Sequence, residues 1–314
     1  MRFDENADLD TSNIDDLRGS GGGGGALGGR VALGGGGLGI VGLILFFVLS
    51  SLGGGGGGTS GGSALPGGLS GLSSGQTADN TQIAQSCRTG ADANSNLDCE
   101  VTAVVNSLDG YWSDAFARSG QTYTAPRTNF FSGRVSTGGC GSATSDVGPF
   151  YCPGDSEVYI DLSFFQELEQ RFGAQGGPFA RAYVIAHEYG HHIQNLLGTN
   201  RQVRGGDSGP TSGSVRLELQ ADCYAGVWGK HATTTPTASG RPLITDVTDA
   251  DVAAALDTAS RIGDDYIQSN LGGGRVDRSQ FTHGTSAQRD KWFTTGYRTG
   301  DPARCDTIST NNLG

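Results

Sequence analysis

Apolar residues are distributed along this chain in three ways, and each predicts a different kind of element. The first is an uncharged stretch from Val31 to Leu52, centred on Gly39-Ile40-Val41-Gly42-Leu43-Ile44-Leu45-Phe46-Phe47-Val48-Leu49. As a helix its twenty-two residues would extend roughly 33 Å, enough for the hydrocarbon core of a bilayer, so a transmembrane helix is expected there. The second is helical periodicity after residue 80. Glu100 to about Ala117 fits an amphipathic helix, and Ser163 to Phe172 another. Phe179, Tyr183, Ala186, Ile193, Leu196 and Leu197 keep helical spacing between Gly176-Gly177-Pro178, a start that places proline where a first turn tolerates it, and the stop at Gly198. Val215 to Gly226 reads as a further helix. Asp249 to Asn270 reads as one more, with Val252, Ala255, Leu256, Ala259, Ile262, Tyr266 and Ile267 on one side. The third is short apolar groups amid Gly, Ser, Thr and Pro from Tyr123 to Tyr151, which read as short strands and loops, followed by the clearest strand, Glu157 to Leu162.

About half of the 55 glycines precede residue 76, in runs such as Gly21–Gly25 and Gly53–Gly58 that lose much entropy on ordering and bury little. The expected organisation is an acidic, Gly-rich, disordered tail over 1–30, a transmembrane signal anchor over 31–52, a Gly/Ser-rich linker over 53–80 and one folded domain over 81–314. Arg18 and Arg30 precede the apolar stretch and the next basic residue is Arg88, so the positive-inside rule places the tail in the cytoplasm and the domain outside. A cleaved signal peptide is the rival reading. A thirty-residue leader and the lack of an Ala-x-Ala site favour a retained anchor.

The chemistry is concentrated in Ala186-His187-Glu188-Tyr189-Gly190-His191-His192. On a helix, residues four apart lie about 40° apart around the axis, so His187 and His191 can offer imidazoles to one Zn²⁺ while Glu188 leans toward a water. Two imidazoles are an incomplete hydrolytic site, which needs three protein ligands and an open position. On the next helix Glu218 and Asp222 stand one turn apart on the same face. Glu218 supplies the third ligand, and Asp222 an acceptor that fixes the tautomer of a ligand histidine. His192, turned about 100° from His191, reads as a hydrogen-bonded structural histidine, and His231 as a favourable charge at a helix end.

These residues carry a resemblance. His187-Glu188-x-x-His191 followed by Glu218-x-x-Ala221-Asp222 is similar to the gluzincin pattern. Gly139-Cys140-Gly141-Ser142-Ala143, Gly148-Pro149-Phe150-Tyr151-Cys152-Pro153, Val158-Tyr159-Ile160-Asp161-Leu162 and Glu218-Leu219-Gln220-Ala221-Asp222-Cys223 resemble the bacterial neutral zinc metallopeptidase family, over about Cys87 to Cys305. The resemblance implies an α+β, zincin-like peptidase domain holding one Zn²⁺, and a strand near Glu157 whose edge could pair with an extended peptide. Thr282-His283-Gly284 and Arg289 are similar to the Thr-His-Pro…Arg segment of membrane-associated gluzincin peptidases, with glycine where those carry proline. That likeness implies His283 or Arg289 as donor to the oxyanion of a tetrahedral intermediate. The plainer reading is a surface histidine capping a helix that begins near Ser286.

Charge and cysteines narrow the rest. A net charge of −11 without a basic stripe argues against nucleic acid or anionic lipid as a partner through a basic surface. The six cysteines all follow the apolar stretch and form no Cys-x-x-Cys pair, which suits disulfides in an oxidising compartment. Short loops suggest Cys87 with Cys99 and Cys140 with Cys152, leaving Cys223 with Cys305; the competing use of Cys223 is a metal thiolate beside Asp222. The reading is a membrane-anchored, extracytoplasmic zinc metallopeptidase acting on peptides or proteins of the cell envelope. Its metal ligands are His187, His191 and Glu218, Asp222 stands behind a ligand histidine, and Glu188, His283 and Arg289 are the catalytic candidates. The alternatives are an inactive zinc-containing envelope scaffold, against which Glu188 argues because a structural zinc needs no general base, and a zinc hydrolase of non-peptide bonds.

Overall fold

The computed structural model describes residues 1–19, 77–203, 207–237 and 240–314. The expected membrane helix at 31–52 and most of the linker lie outside them. Among the described residues no helix is long and apolar enough to cross a membrane. In chain order the elements are β1 (Arg2–Phe3), β2 (Ile14–Asp16), α1 (Thr81–Ser86), α2 (Gly90–Ala93), α3 (Leu97–Arg118), β3 (Thr128–Phe131), β4 (Arg134–Ser136), β5 (Ser142–Thr144), β6 (Phe150–Cys152) and β7 (Glu157–Asp161). Then come α4 (Ser163–Gln170), α5 (Pro178–Leu197), α6 (Gly213–His231), β8 (Ile244–Asp246), α7 (Asp249–Arg261), α8 (Asp264–Asn270) and α9 (Ser286–Thr299). The mixture of helix and sheet is α+β, as expected.

The main sheet has the order β2-β3-β7-β6, with β2, β3 and β7 parallel and β6 antiparallel at an edge. The expected substrate-pairing edge, β7, is thus interior, and β6 takes the edge position. The helices cover one face of this sheet. α3 starts where Asn96 accepts the N–H groups of Asp98 and Cys99, and it buries Val101, Val104, Val105, Leu108 and Trp112. α5 begins at Pro178 and ends where Gly198 adopts φ 71°, a left-handed stop that glycine reaches without strain. A smaller cluster of Phe131, Val135, Val147, Phe150 and Tyr159 packs on the far side of the sheet.

Two expectations are corrected. The tail is not disordered over residues 1–19: β1 pairs with β8, β2 pairs with β3, and Phe3, Ala7 and Ile14 are buried in the main core. Its charges are paired individually, Arg18 with Asp16 and Asp98, and Asp15 with Arg127. A reading by average composition misses this, because a few well-spaced apolar side chains and matched partners outweigh the mean. The single helix expected over 249–270 is two, broken at Ile262 and Gly263. A Cβ on Gly263 would lie 2.5 Å from the Ser286 nitrogen, so the chain turns there to let the start of α9 approach. The three disulfides are Cys87–Cys99, Cys140–Cys152 and Cys223–Cys305. Cys223 is therefore not a thiolate ligand.

Candidate metal centre

α5 and α6 cross at two small residues. A Cβ on Gly190 would sit 2.8 Å from Ala221 Cα, so glycine at the second variable position of the His-Glu-x-x-His motif lets the helices approach at backbone distance. That approach brings His187, His191 and Glu218 together, with one potential ligand atom from each within 4.8 Å of the others. His187 Nε2 lies 3.1 Å and His191 Nε2 3.4 Å from the two Glu218 oxygens. All three side chains are buried.

Each histidine is held from behind. His187 Nδ1 lies 2.8 Å from Asp222 Oδ1 and, facing a carboxylate, donates. His191 Nδ1 donates to Gln194 Oε1 at 2.9 Å, and Gln194 is fixed in turn by donating to the Leu217 carbonyl at 2.6 Å and to Gln220 Oε1 at 3.2 Å. Both Nε2 atoms therefore face Glu218. Burial opposes a charged His187, but the Asp222 and Glu218 carboxylates outweigh it and bring its pKa up to about 10. Asp222 has no exposed surface and accepts four hydrogen bonds, from His187, Tyr183 and twice from Arg289. Burial raises its pKa, and Arg289 and His187 more than reverse this, to about 2.

The donor set suits zinc, and unpartnered buried atoms mark where the group would sit. His191 Nε2, Glu188 Oε2 and His283 Nε2 are all buried without a hydrogen-bond partner among the described residues. Leaving such atoms bare costs about 1–3 kcal/mol each, so a metal and its surrounding ligands answer a standing deficit. Burial pushes the Glu188 carboxyl above the usual range.

The two candidate oxyanion donors differ in placement. Arg289 is spent behind His187: Nε and Nη2 donate to Asp222 at 2.9 Å, Nη2 also to Tyr183 Oη at 3.2 Å, and Nη1 to the Ile262 carbonyl at 3.3 Å. His283 lines the same cavity as His187, Glu188 and Glu218. It is buried, and the cap of α9 is Thr285, so His283 is not a surface capping residue. Asp264 Oδ2 accepts three successive N–H groups, Thr282 at 2.8, His283 at 2.7 and Gly284 at 2.9 Å, while Oδ1 faces His283 Nδ1 at 3.2 Å. Gly284 has φ 91°, which explains the departure from proline: a proline has neither that angle nor the N–H. Arg289 and Tyr183 also reach the lining of this cavity, and its remaining wall is apolar, built from Phe164, Phe172, Val184, Ile262 and Ile267.

Sequence reasoning missed Asp264, Gln194 and Tyr183. The last two had a signal, since Tyr183 precedes His187 by four residues and Gln194 follows His191 by three, which puts both on the ligand face. Asp264 had none. His192 is structural as expected, bonded to Tyr151 Oη at 3.1 Å and the Thr124 carbonyl at 2.7 Å, with burial lowering its pKa to about 4. His231 closes α6 and reaches the Gly300 carbonyl at 3.0 Å.

Comparison with known proteins agrees with the geometry. The chain is 51% identical over 229 residues to the uncharacterized protein Rv2575 of Mycobacterium tuberculosis, covering 73% of this chain and 76% of that one. It is 40% identical over 245 residues to the uncharacterized protein YpfJ of Escherichia coli K12, covering 76% and 80%. No solved structure matches it. The profile of one family spans residues 1–308, taking in β1 and β2 as well as the metal centre, and by that match the chain belongs to the family described as "Putative neutral zinc metallopeptidase".

Proposed function

We propose that this protein is a membrane-attached, extracytoplasmic zinc metallopeptidase with a zincin-like arrangement of edge strand and paired helices. The carrying observation is the convergence of three unpartnered buried atoms, Glu188 Oε2, His191 Nε2 and His283 Nε2, around the His187, His191 and Glu218 cluster. His187 Nε2, His191 Nε2 and Glu218 would hold the zinc. Zinc bound there supplies Lewis acidity, polarising the scissile carbonyl and making a water acidic enough to attack at neutral pH.

The chain's own residues do the rest. Glu188, raised by burial, takes the water's proton at Oε2 and delivers it to the leaving amine. Asp222 and Gln194 keep both ligand histidines in the tautomer that leaves Nε2 free. His283 Nε2 faces the developing oxyanion, and Asp264 keeps that ring from turning. Arg289 acts as a positioning residue through Asp222 rather than on substrate. The apolar wall beside Glu188 suits an aliphatic or aromatic side chain next to the scissile bond, with the peptide running along β6.

Three disulfides support an oxidising compartment, and the apolar stretch at 31–52 supports attachment to a membrane. The test is turnover of a peptide library by the zinc-loaded protein and by Glu188→Gln. Loss of turnover with zinc retained is expected. Equal turnover in the variant would overturn the assignment.

A further inference from the structure

The described residues that flank 20–76 in the sequence meet at one place in the fold. Asp16 N–H donates to Asn80 Oδ1 at 2.8 Å, Asp79 N–H donates to the Asp16 carbonyl at 2.9 Å, and Asn80 Nδ2 donates to Asp15 Oδ1 at 2.9 Å. Just beyond, Arg18 Nη2 bridges Asp16 at 2.7 Å and Asp98 at 2.6 Å, and Leu17 N–H donates to the Phe130 carbonyl at 2.8 Å. The flank before the apolar stretch is therefore hydrogen-bonded to the flank after it. β2 also lies in register along β3, Ile14 with Thr128 through Asp16 with Phe130, and Ile14 has no exposed surface. Taking residues 1–19 across a bilayer from the domain would strip a strand from the sheet, bare Phe3, Ala7 and Ile14, and separate Asp15 from Arg127.

The length of the apolar stretch limits how it can meet a bilayer. A single helical crossing uses about 20 apolar residues, and a crossing with a return about twice that. Val31 to Leu52 has twenty-two uncharged residues. One crossing would pull apart flanks that are bonded to each other, and the stretch is too short by nearly half for a crossing with a return. The charge argument for a crossing weakens as well, because Arg18 is neutralised by Asp16 and Asp98 within the fold, leaving Arg30 as the basic residue next to the stretch in the sequence.

We propose that residues 1–19 and the metal-binding domain lie on the same face of the membrane, the chain being held to that face by lipid contact and not carried through it. This rests on the membrane-attached reading above, and it replaces the expected arrangement of a cytoplasmic tail and an external domain.

The test uses the full chain, in which all six native cysteines are paired. Single thiols are introduced by Glu5→Cys, at a side chain 63% exposed, by Asn6→Cys as a second tail position, and by Arg298→Cys on the exposed surface of the domain. Spheroplasts of an expressing bacterium are treated with a membrane-impermeant maleimide before and after permeabilisation. Tail and domain thiols should be labelled to within about twofold of each other in both states. If both react only after permeabilisation, the same-face proposal stands and the extracytoplasmic reading falls. A domain thiol labelled in intact spheroplasts while both tail thiols wait for permeabilisation overturns the proposal, and so does recovery of the full chain in the soluble fraction.

Discussion

Gly284 shows how one backbone position serves the site. Its φ of 91° and its N–H to Asp264 wrap the 282–284 turn around a single carboxylate, which holds His283 in the wall of the cavity it shares with His187, Glu188 and Glu218. Gly284→Pro removes the angle and the donor together and should cost about 2–4 kcal/mol of stability, measured by denaturant unfolding. Asp264→Asn keeps an acceptor for the turn but weakens the hold on His283 Nδ1. Turnover should fall by about tenfold or more while zinc content stays at one per chain, and unchanged kinetics would reduce Asp264 to a loop brace. Asp109 allows a separate test of burial. It accepts from Tyr123 Oη at 2.7 Å and Asn13 Nδ2 at 3.2 Å, and burial pushes its carboxyl up to about 6. The unfolded value is about 3.9, so the folded state holds the proton more tightly between these values and stability falls as pH rises through that window. From about pH 4 to pH 7 the wild type should lose about 2 kcal/mol that Asp109→Asn does not, read from unfolding curves at each pH. Equal slopes would contradict the shift.

At the scale of elements, the helix pair is the most legible feature. The proline start and glycine stop of α5 are local signals, and the ligand spacing follows from helical geometry alone. Less legible is the contact that lets the pair work, Gly190 on Ala221, because a glycine within a helical pattern does not announce what approaches it. Gly190→Ala should push α5 from α6, costing about 1–3 kcal/mol and weakening zinc binding, checked by unfolding and by metal titration. The break at Ile262 and Gly263 could not be read from periodicity, since the apolar spacing runs on through it and the cause, the Ser286 backbone, is distant in sequence. Likewise the place of β7 inside the sheet depends on pairings with β3 and β6 that alternation of polar and apolar residues does not specify.

For the whole molecule, the largest departure from expectation is the N-terminal segment. Its composition resembles a solvated tail, but its apolar residues complete the core and its charges meet fixed partners, facts that exist only in three dimensions. The Cys223–Cys305 disulfide ties α6, which carries Glu218 and Asp222, to the C-terminal region across a sequence separation of 82. Chain-entropy reasoning gives such a closure about 4.5 kcal/mol, so Cys223→Ser with Cys305→Ser should unfold at markedly lower denaturant. No change in midpoint would show that packing of α9 against α6 already holds that end. The central claim is that His187, His191 and Glu218 bind one zinc for which Glu188 is the base, not a ligand. The most direct measurement is zinc stoichiometry and peptide turnover on the same preparations of wild type, Glu218→Ala and Glu188→Gln. The account predicts one zinc and turnover for wild type, loss of both for Glu218→Ala, and one zinc with turnover reduced at least about a hundredfold for Glu188→Gln. Stoichiometric zinc of wild-type affinity in Glu218→Ala, or wild-type turnover in Glu188→Gln, would contradict it.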